Sequence, residues 1–239
     1  MVPATHLARA QTAADTGRAA PAPDGACRQT LPVSIGSQAL AGRLTLVPQA
    51  RGLVVLAHGS GSSRHSPRQQ FVADTLHDYR LDTLVFDLLT TAEDEDRERV
   101  FDIDLLAQRL GEALRWTRAD PRTGAMCTGL FGASAGAAAA LQAAAQHPGW
   151  VTAVVSRGGR PDLAGPGLAR LQAPTLLIVG GRDTEVLRTN RDAARGLRCD
   201  WRLEVVPGAG HLFEESGAIE TVAHLAGHWF ADRLRNPVH

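Results

Sequence analysis

With 239 residues, 44% of them hydrophobic and 21% charged, the chain can bury a sizeable core, which excludes a disordered protein. Its 25 basic and 25 acidic residues cancel, which excludes a general nucleic-acid or membrane-surface binder, and no apolar run reaches the roughly 18 residues of a membrane helix. Every basic residue is arginine, so a Walker A loop, a Schiff-base or pyridoxal-bearing lysine and a Ser-Lys dyad are excluded as well.

Residues 1–26 are rich in Ala, Pro, Gly and Thr. They lack the apolar segment of a secretory signal and read as a disordered extension, leaving 27–239 as a single α/β domain. The cysteines, Cys27, Cys127 and Cys199, are odd in number and far apart. They suit a reduced, cytoplasmic setting and offer no C-x-x-C metal pair.

Strands are predicted at 29–35 and 39–47, joined as a hairpin across Gly36 and Ser37. The continuous apolar run 53–57 has the character of a strand covered on both faces in a parallel sheet. It ends in His58-Gly59-Ser60-Gly61-Ser62, followed by a helix to about residue 79 and a second buried strand at 83–86. Residues 90–99 read as a loop whose acidic run, Glu93 to Asp96, is solvated surface. Apolar residues at helical spacing predict a helix over 101–117. An apolar strand at 126–131 then meets an alanine-rich helix at 135–146 through Gly132-Ala133-Ser134-Ala135-Gly136. Further strands are expected at 151–155, 174–179 and 202–206, with helices at 185–197 and 218–234. Strands alternating with helices predict a mostly parallel sheet covered on both faces, with ligands bound where the strands end.

Serine is a weak nucleophile until a base takes its proton and a third group orients that base. A serine in a tight strand-to-helix turn holds its hydroxyl clear of both elements, and small residues two positions either side let strand and helix approach. Ser134 occupies that position. In this arrangement the order along the chain is Ser, acid, His, each at the end of a strand, and Asp183 and His211 complete it. For Asp183 a helix N-cap role stands as the alternative, with Glu185 and Asp162 as reserve acids. His224 and His228 have the i, i+4 spacing of a helical metal pair but lack a carboxylate ligand pattern, so packing or surface roles are expected for them and no metal or cofactor is expected in the site. Two backbone donors should face the developing oxyanion, the amides of Ala135 and Ser60. The rival reading of His58 to Ser62 as a dinucleotide turn is the weaker one, because Arg stands at position 64 in place of a third small residue and because of the triad order downstream.

Through His58-Gly59-Ser60-Gly61-Ser62, Gly132-Ala133-Ser134-Ala135-Gly136, Gly180-Gly181-Arg182-Asp183 and Gly208-Ala209-Gly210-His211, residues 53–229 resemble an α/β-hydrolase of the dienelactone-hydrolase-like group. The resemblance implies a cofactor-free serine hydrolase. It departs from true dienelactone hydrolases, whose nucleophile is Cys, because position 134 is Ser, and this favours a small carboxylic ester as substrate. Thioester cleavage, acyl transfer with the same triad, and a hydrolase fold reused as a small-molecule binding module remain alternatives, in a monomer or homodimer. Arg64, Arg68, Arg157 and Arg160 follow strands that end at the same edge, so they either hold an anionic group of the substrate or brace the site by pairing with Asp87, Asp162 or the acidic loop.

Overall fold

The computed structural model describes residues 27–235. The expected extension at 1–26 lies outside the described residues, as do 236–239. Within them the chain forms an eight-stranded sheet in the order β1-β2-β4-β3-β5-β6-β7-β8. The hairpin β1 (Gln29–Ile35) and β2 (Leu40–Leu46) is antiparallel, and β2 also runs antiparallel to β4 (Leu81–Phe86). The pairs from β4 through β3 (Gly52–Ala57), β5 (Thr128–Ala133), β6 (Ala153–Arg157), β7 (Thr175–Gly180) and β8 (Trp201–Val206) are parallel. The predicted α/β-hydrolase architecture is therefore the one observed.

Two cores form because successive strand residues point to opposite faces. In β3, Leu53, Val55 and Ala57 face one core, built with α4 (Ile103–Ala119) and α5 (Ala135–Gln146). Val54 and Leu56 face the other, built with α1 (Pro67–Asp78) and α7 (Ala218–Arg233). Helix α5 is buried along nearly its whole length, and its alanines let it lie close against the sheet. Helix α1 has Pro67 at its first position, and the Ser66 hydroxyl accepts from the Gln69 amide at 3.5 Å. Helix α6 (Thr184–Ala194) follows β7.

Residues 90–99 are largely exposed, as expected for solvated surface, but they are not a plain loop. They form two single-turn helices, α2 (Thr91–Asp94) and α3 (Arg97–Val100). Thr90 and Glu93 cap α2 reciprocally, with Oγ1 of Thr90 accepting at 3.3 Å and Oε2 of Glu93 at 2.9 Å. The other oxygen of Glu93 accepts from Nη2 of Arg109 at 3.0 Å. Arg109 is only 5% exposed, and a guanidinium taken out of water needs a counter-charge, which Glu93 supplies. A segment with no sequence-predicted element, Pro161–Arg170, winds as two short 3-10 pieces broken at Gly165 after β6.

Candidate active site

Ser134 is the single residue between β5 and α5, at the helix N-cap, with φ 51° and ψ −119°, backbone angles that a non-glycine residue rarely adopts. The glycines around it make this turn possible. A β-carbon on Gly132 would stand 2.5 Å from Cα of Ala137, and one on Gly136 would stand 2.7 Å from the Ala57 carbonyl oxygen. The Ser134 amide donates to the carbonyl of Arg157 at 3.0 Å, which ties the turn to the neighbouring strand.

From this position Oγ of Ser134 lies 3.3 Å from Nε2 of His211, in the turn after β8. Nδ1 of the same ring lies 2.7 Å from Oδ2 of Asp183, in the turn after β7. An ionised carboxylate only accepts, so Nδ1 carries the proton and Nε2 presents a lone pair to the hydroxyl. Asp183 occupies the N-cap position of α6, yet its side chain makes no cap hydrogen bond and is turned to His211 instead. Of the reserve acids, Asp162 is taken up by Arg160 and Glu185 lies in the first turn of α6.

The loop after β3 closes over the serine. Gly59 comes so near that a β-carbon there would lie 3.1 Å from Cβ of Ser134, and Ser60 lines the cavity in front of the hydroxyl. Ala135 is the first residue of α5, where an amide has no acceptor within the helix. His58, 6% exposed, braces this loop from behind. Its Nδ1 meets the Gly59 carbonyl at 3.0 Å and its Nε2 accepts from the Leu88 amide at 3.1 Å. Burial pulls this imidazole below its ordinary pKa, in keeping with the neutral tautomer those two bonds require.

The cavity in front of Ser134 measures about 160 Å³, and Ser60, Arg68, Phe131, Arg157, Leu212 and Ile219 are among its walls. The four arginines separate here. Arg157 is half-buried in the wall, with Cζ 5.4 Å from the centre of the Phe213 ring and Nη1 3.5 Å from the Leu212 carbonyl. It makes no ion pair with a carboxylate among the described residues. Burial, helped by the charge of Arg68, pushes its pKa down to about 10, which leaves it protonated at neutral pH. Arg68 also lines the cavity and reaches Glu214 at 2.8 Å.

Arg64 and Arg160 require correction as substrate-binding residues. Arg64 gives both its amide, at 2.8 Å, and its guanidinium to Asp87. Arg160 makes three contacts of 2.7–3.2 Å with Asp162. Neither lines the cavity, and both are braces whose charge is already matched. Of the four arginines considered from the sequence, Arg68 and Arg157 are the ones that line the cavity.

No family model matches the chain. Among solved structures, a dienelactone hydrolase from Anabaena variabilis is 50% identical, with a TM-score of 0.83 over 88% of this chain and 99% of that one. The chain belongs to the dienelactone-hydrolase-like α/β-hydrolases. A dienelactone-hydrolase-like promiscuous phosphotriesterase from metagenomic libraries shares the fold, at 20% identity and a TM-score of 0.71 over 88% of this chain and all of that one. Two proteins from strains of Mycobacterium tuberculosis, each named "Putative phosphoribosyl transferase", are 54% identical over 205 residues, 86% of this chain. The chain spans 46% of the length of these curated relatives.

In this α/β-hydrolase the spaced pair His224 and His228 packs around Tyr79. Nδ1 of His224 lies 3.0 Å from the Tyr79 hydroxyl, and the His228 ring stands edge-on with centroids 5.0 Å apart. No group of three His, Cys, Asp or Glu side chains among the described residues is placed to hold a metal ion. No helix among them is long and apolar enough to cross a membrane.

Proposed function

We propose that this α/β-hydrolase is a serine hydrolase that cleaves a small carboxylic ester through an acyl-enzyme, with Ser134, His211 and Asp183 as its triad. The observation that carries the reading is the continuous contact from a hydroxyl on a left-handed turn, through an imidazole at 3.3 Å, to a carboxylate at 2.7 Å. Nε2 of His211 takes the Ser134 proton as Oγ attacks the ester carbonyl. Asp183 holds the ring in the required tautomer and stabilises the imidazolium that forms. The amides of Ser60 and Ala135 meet the oxyanion, helped at Ala135 by the N-terminal end of α5. The imidazolium then passes its proton to the departing alcohol, and water activated by the same base releases the acid. A 3.3 Å separation is long for this bond, and such contacts tighten when substrate arrives.

The cavity volume favours a small acyl or alcohol group. The unpaired guanidinium of Arg157, with Arg68 beside it, favours a substrate bearing an anionic group. We take the phosphoribosyl transferase name as describing the longer relatives, of which this chain spans 46%. The cysteines Cys27, Cys127 and Cys199, odd in number and far apart in the sequence, support a reducing, cytoplasmic setting.

The test is an ester panel and a fluorophosphonate probe applied to the wild-type chain and Ser134→Ala. The expected result is labelling at Ser134 and a loss of turnover of about a thousandfold or more in the variant, since triad members act as a unit. Matched thioesters in the same panel decide between ester and thioester cleavage. A folded wild type that neither labels nor turns over any substrate would make the protein a binding module and end the proposal.

A further inference from the structure

Asp183 and His211 come from different turns, after β7 and after β8, and their 2.7 Å contact depends on those turns keeping their spacing. Part of the spacing is backbone. The Gly181 amide donates to the Val206 carbonyl and the Arg182 amide to that of Ala209, each at 2.9 Å. Part is shape, since a β-carbon on Gly180 would lie 2.5 Å from the carbonyl oxygens of both Ala209 and Gly210. The rest converges on one side chain. Both carboxylate oxygens of Glu215 lie 3.1 Å from the Gly210 amide, one residue before His211. One of them also meets the guanidinium of Arg182, one residue before Asp183. The Glu215 carbonyl in turn accepts from the Ala218 amide at 2.9 Å, which anchors the residue to the start of α7.

We propose that Glu215, with Arg182, is a positioning residue that pins the base-bearing turn to the acid-bearing turn and so sets the Asp183–His211 contact. The role rests on the serine-hydrolase reading for its catalytic consequence, although the pinning itself does not. A hydrogen bond from the backbone amide of Glu215 itself, then those from the Gly210 amide and the Arg182 guanidinium, hold the carboxyl below its usual pKa, which favours its ionised form. The pair is partly exposed, and exposed ion pairs contribute little to global stability. Its effect is therefore on orientation, where a displacement of an ångström in a catalytic group costs far more than it does in folding. Asp183 is the carboxylate facing His211, while Arg157 and Arg68 share its cavity and Glu214 offsets Arg68. Loosening the turn removes the favourable partner and leaves the cations.

The experiment compares Glu215→Ala, Glu215→Gln and Arg182→Ala with wild type in the full chain. Three quantities are read: thermal unfolding, the pH profile of fluorophosphonate labelling at Ser134, and the downfield proton resonance of the His211 Nδ1–H. In Glu215→Ala, labelling should slow by about 10- to 100-fold with little change in unfolding temperature. Its acid limb should move to lower pH, and the Nδ1–H resonance should broaden or vanish. Glu215→Gln keeps a carbonyl acceptor for the Gly210 amide, so it should recover most of the rate and the resonance, with Arg182→Ala in between. A Glu215→Ala variant with the wild-type resonance and acid limb would overturn the proposal, and so would a glutamine variant no better than alanine. If wild type itself fails to label, the hydrolase reading falls, and the resonance still decides whether Glu215 pins the turn.

Discussion

The carbonyl oxygen of Ala57, the last residue of β3, stands 2.7 Å from the place a β-carbon would take on Gly136, the second residue of α5. The His58 carbonyl crowds the same point. A central, fully buried strand cannot retreat, so any side chain at 136 pushes α5 outward and carries Ser134 with it. Gly136→Ala should therefore lower stability by about 1–3 kcal/mol and remove most fluorophosphonate labelling. Thermal unfolding and labelling of the same sample check this, and a variant that unfolds and labels like wild type would contradict it.

Arg157 should govern selectivity for anionic esters. Its guanidinium has no carboxylate partner among the described residues, and a charge-assisted bond contributes about 1.5–3 kcal/mol. Arg157→Ala should raise KM for an anionic ester by about 10- to 100-fold relative to a neutral ester of the same size. Arg64→Ala and Arg160→Ala, which remove braces already neutralised by Asp87 and Asp162, should leave that ratio unchanged. With a pKa near 10, Arg157 keeps its charge across neutral pH, so the preference should fade only as pH rises through about 10. Kinetics on matched ester pairs decide the point, and an unchanged ratio in Arg157→Ala would remove this arginine from substrate binding.

What the sequence made legible follows the range of each interaction. Helix α5 begins and ends at the residues expected, because the Ser134 turn and the alanine run after it are local signals. The buried strands β3, β4 and β7 announce themselves as continuous apolar runs, and the Ser, Asp and His turns fall at strand exits. Pairings between distant residues were offered by the sequence only as alternatives or not at all. That Arg64 is spent on Asp87 rather than on a substrate group, or that Glu93 answers the buried Arg109, depends on where helices and strands come to rest. The same holds for Glu215, which reads as one more acid after a histidine until β7 and β8 bring Arg182 beside it. Periodicity reports which face of an element is covered, while the identity of a charged partner belongs to the tertiary structure.

His58 should act through the loop it braces. Replacing it with alanine leaves the Gly59 carbonyl and the Leu88 amide without partners in a buried setting, at a cost of about 1–3 kcal/mol for each unsatisfied group. The Ser60 amide, which we propose as an oxyanion donor, should then lose its fixed direction. The expected signature of His58→Ala is a fall in kcat larger than the rise in KM, since an oxyanion donor acts mainly in the transition state. Steady-state kinetics below the unfolding temperature of the variant measure it, and a pure KM effect would show that His58 does not orient this loop.

Two buried groups at opposite ends of one turn give the protein opposing responses to acid. Nε2 of His77 contacts Oγ1 of Thr83 at 2.8 Å, and burial together with Arg28 lowers its pKa to about 4. The native state refuses a proton that the unfolded chain accepts near 6.5, so this group removes stability as pH falls from 6.5 to about 4. Asp82, 1% exposed and bonded to the Val47 amide at 2.7 Å, is raised by burial from 3.8 to about 6. The native state holds its proton where the unfolded chain has lost it, so this group restores stability as pH falls from about 6 to 3.8. Each effect is on the order of 3 kcal/mol when complete, and they oppose one another over the shared range. Differences from wild type isolate them. Asp82→Asn should be more stable than wild type at pH 7, with its advantage shrinking toward pH 4. His77→Gln should gain on wild type over the same descent. Urea unfolding midpoints at both pH values measure the two differences, and if neither changes with pH the native state does not hold these groups in the protonation states their burial demands.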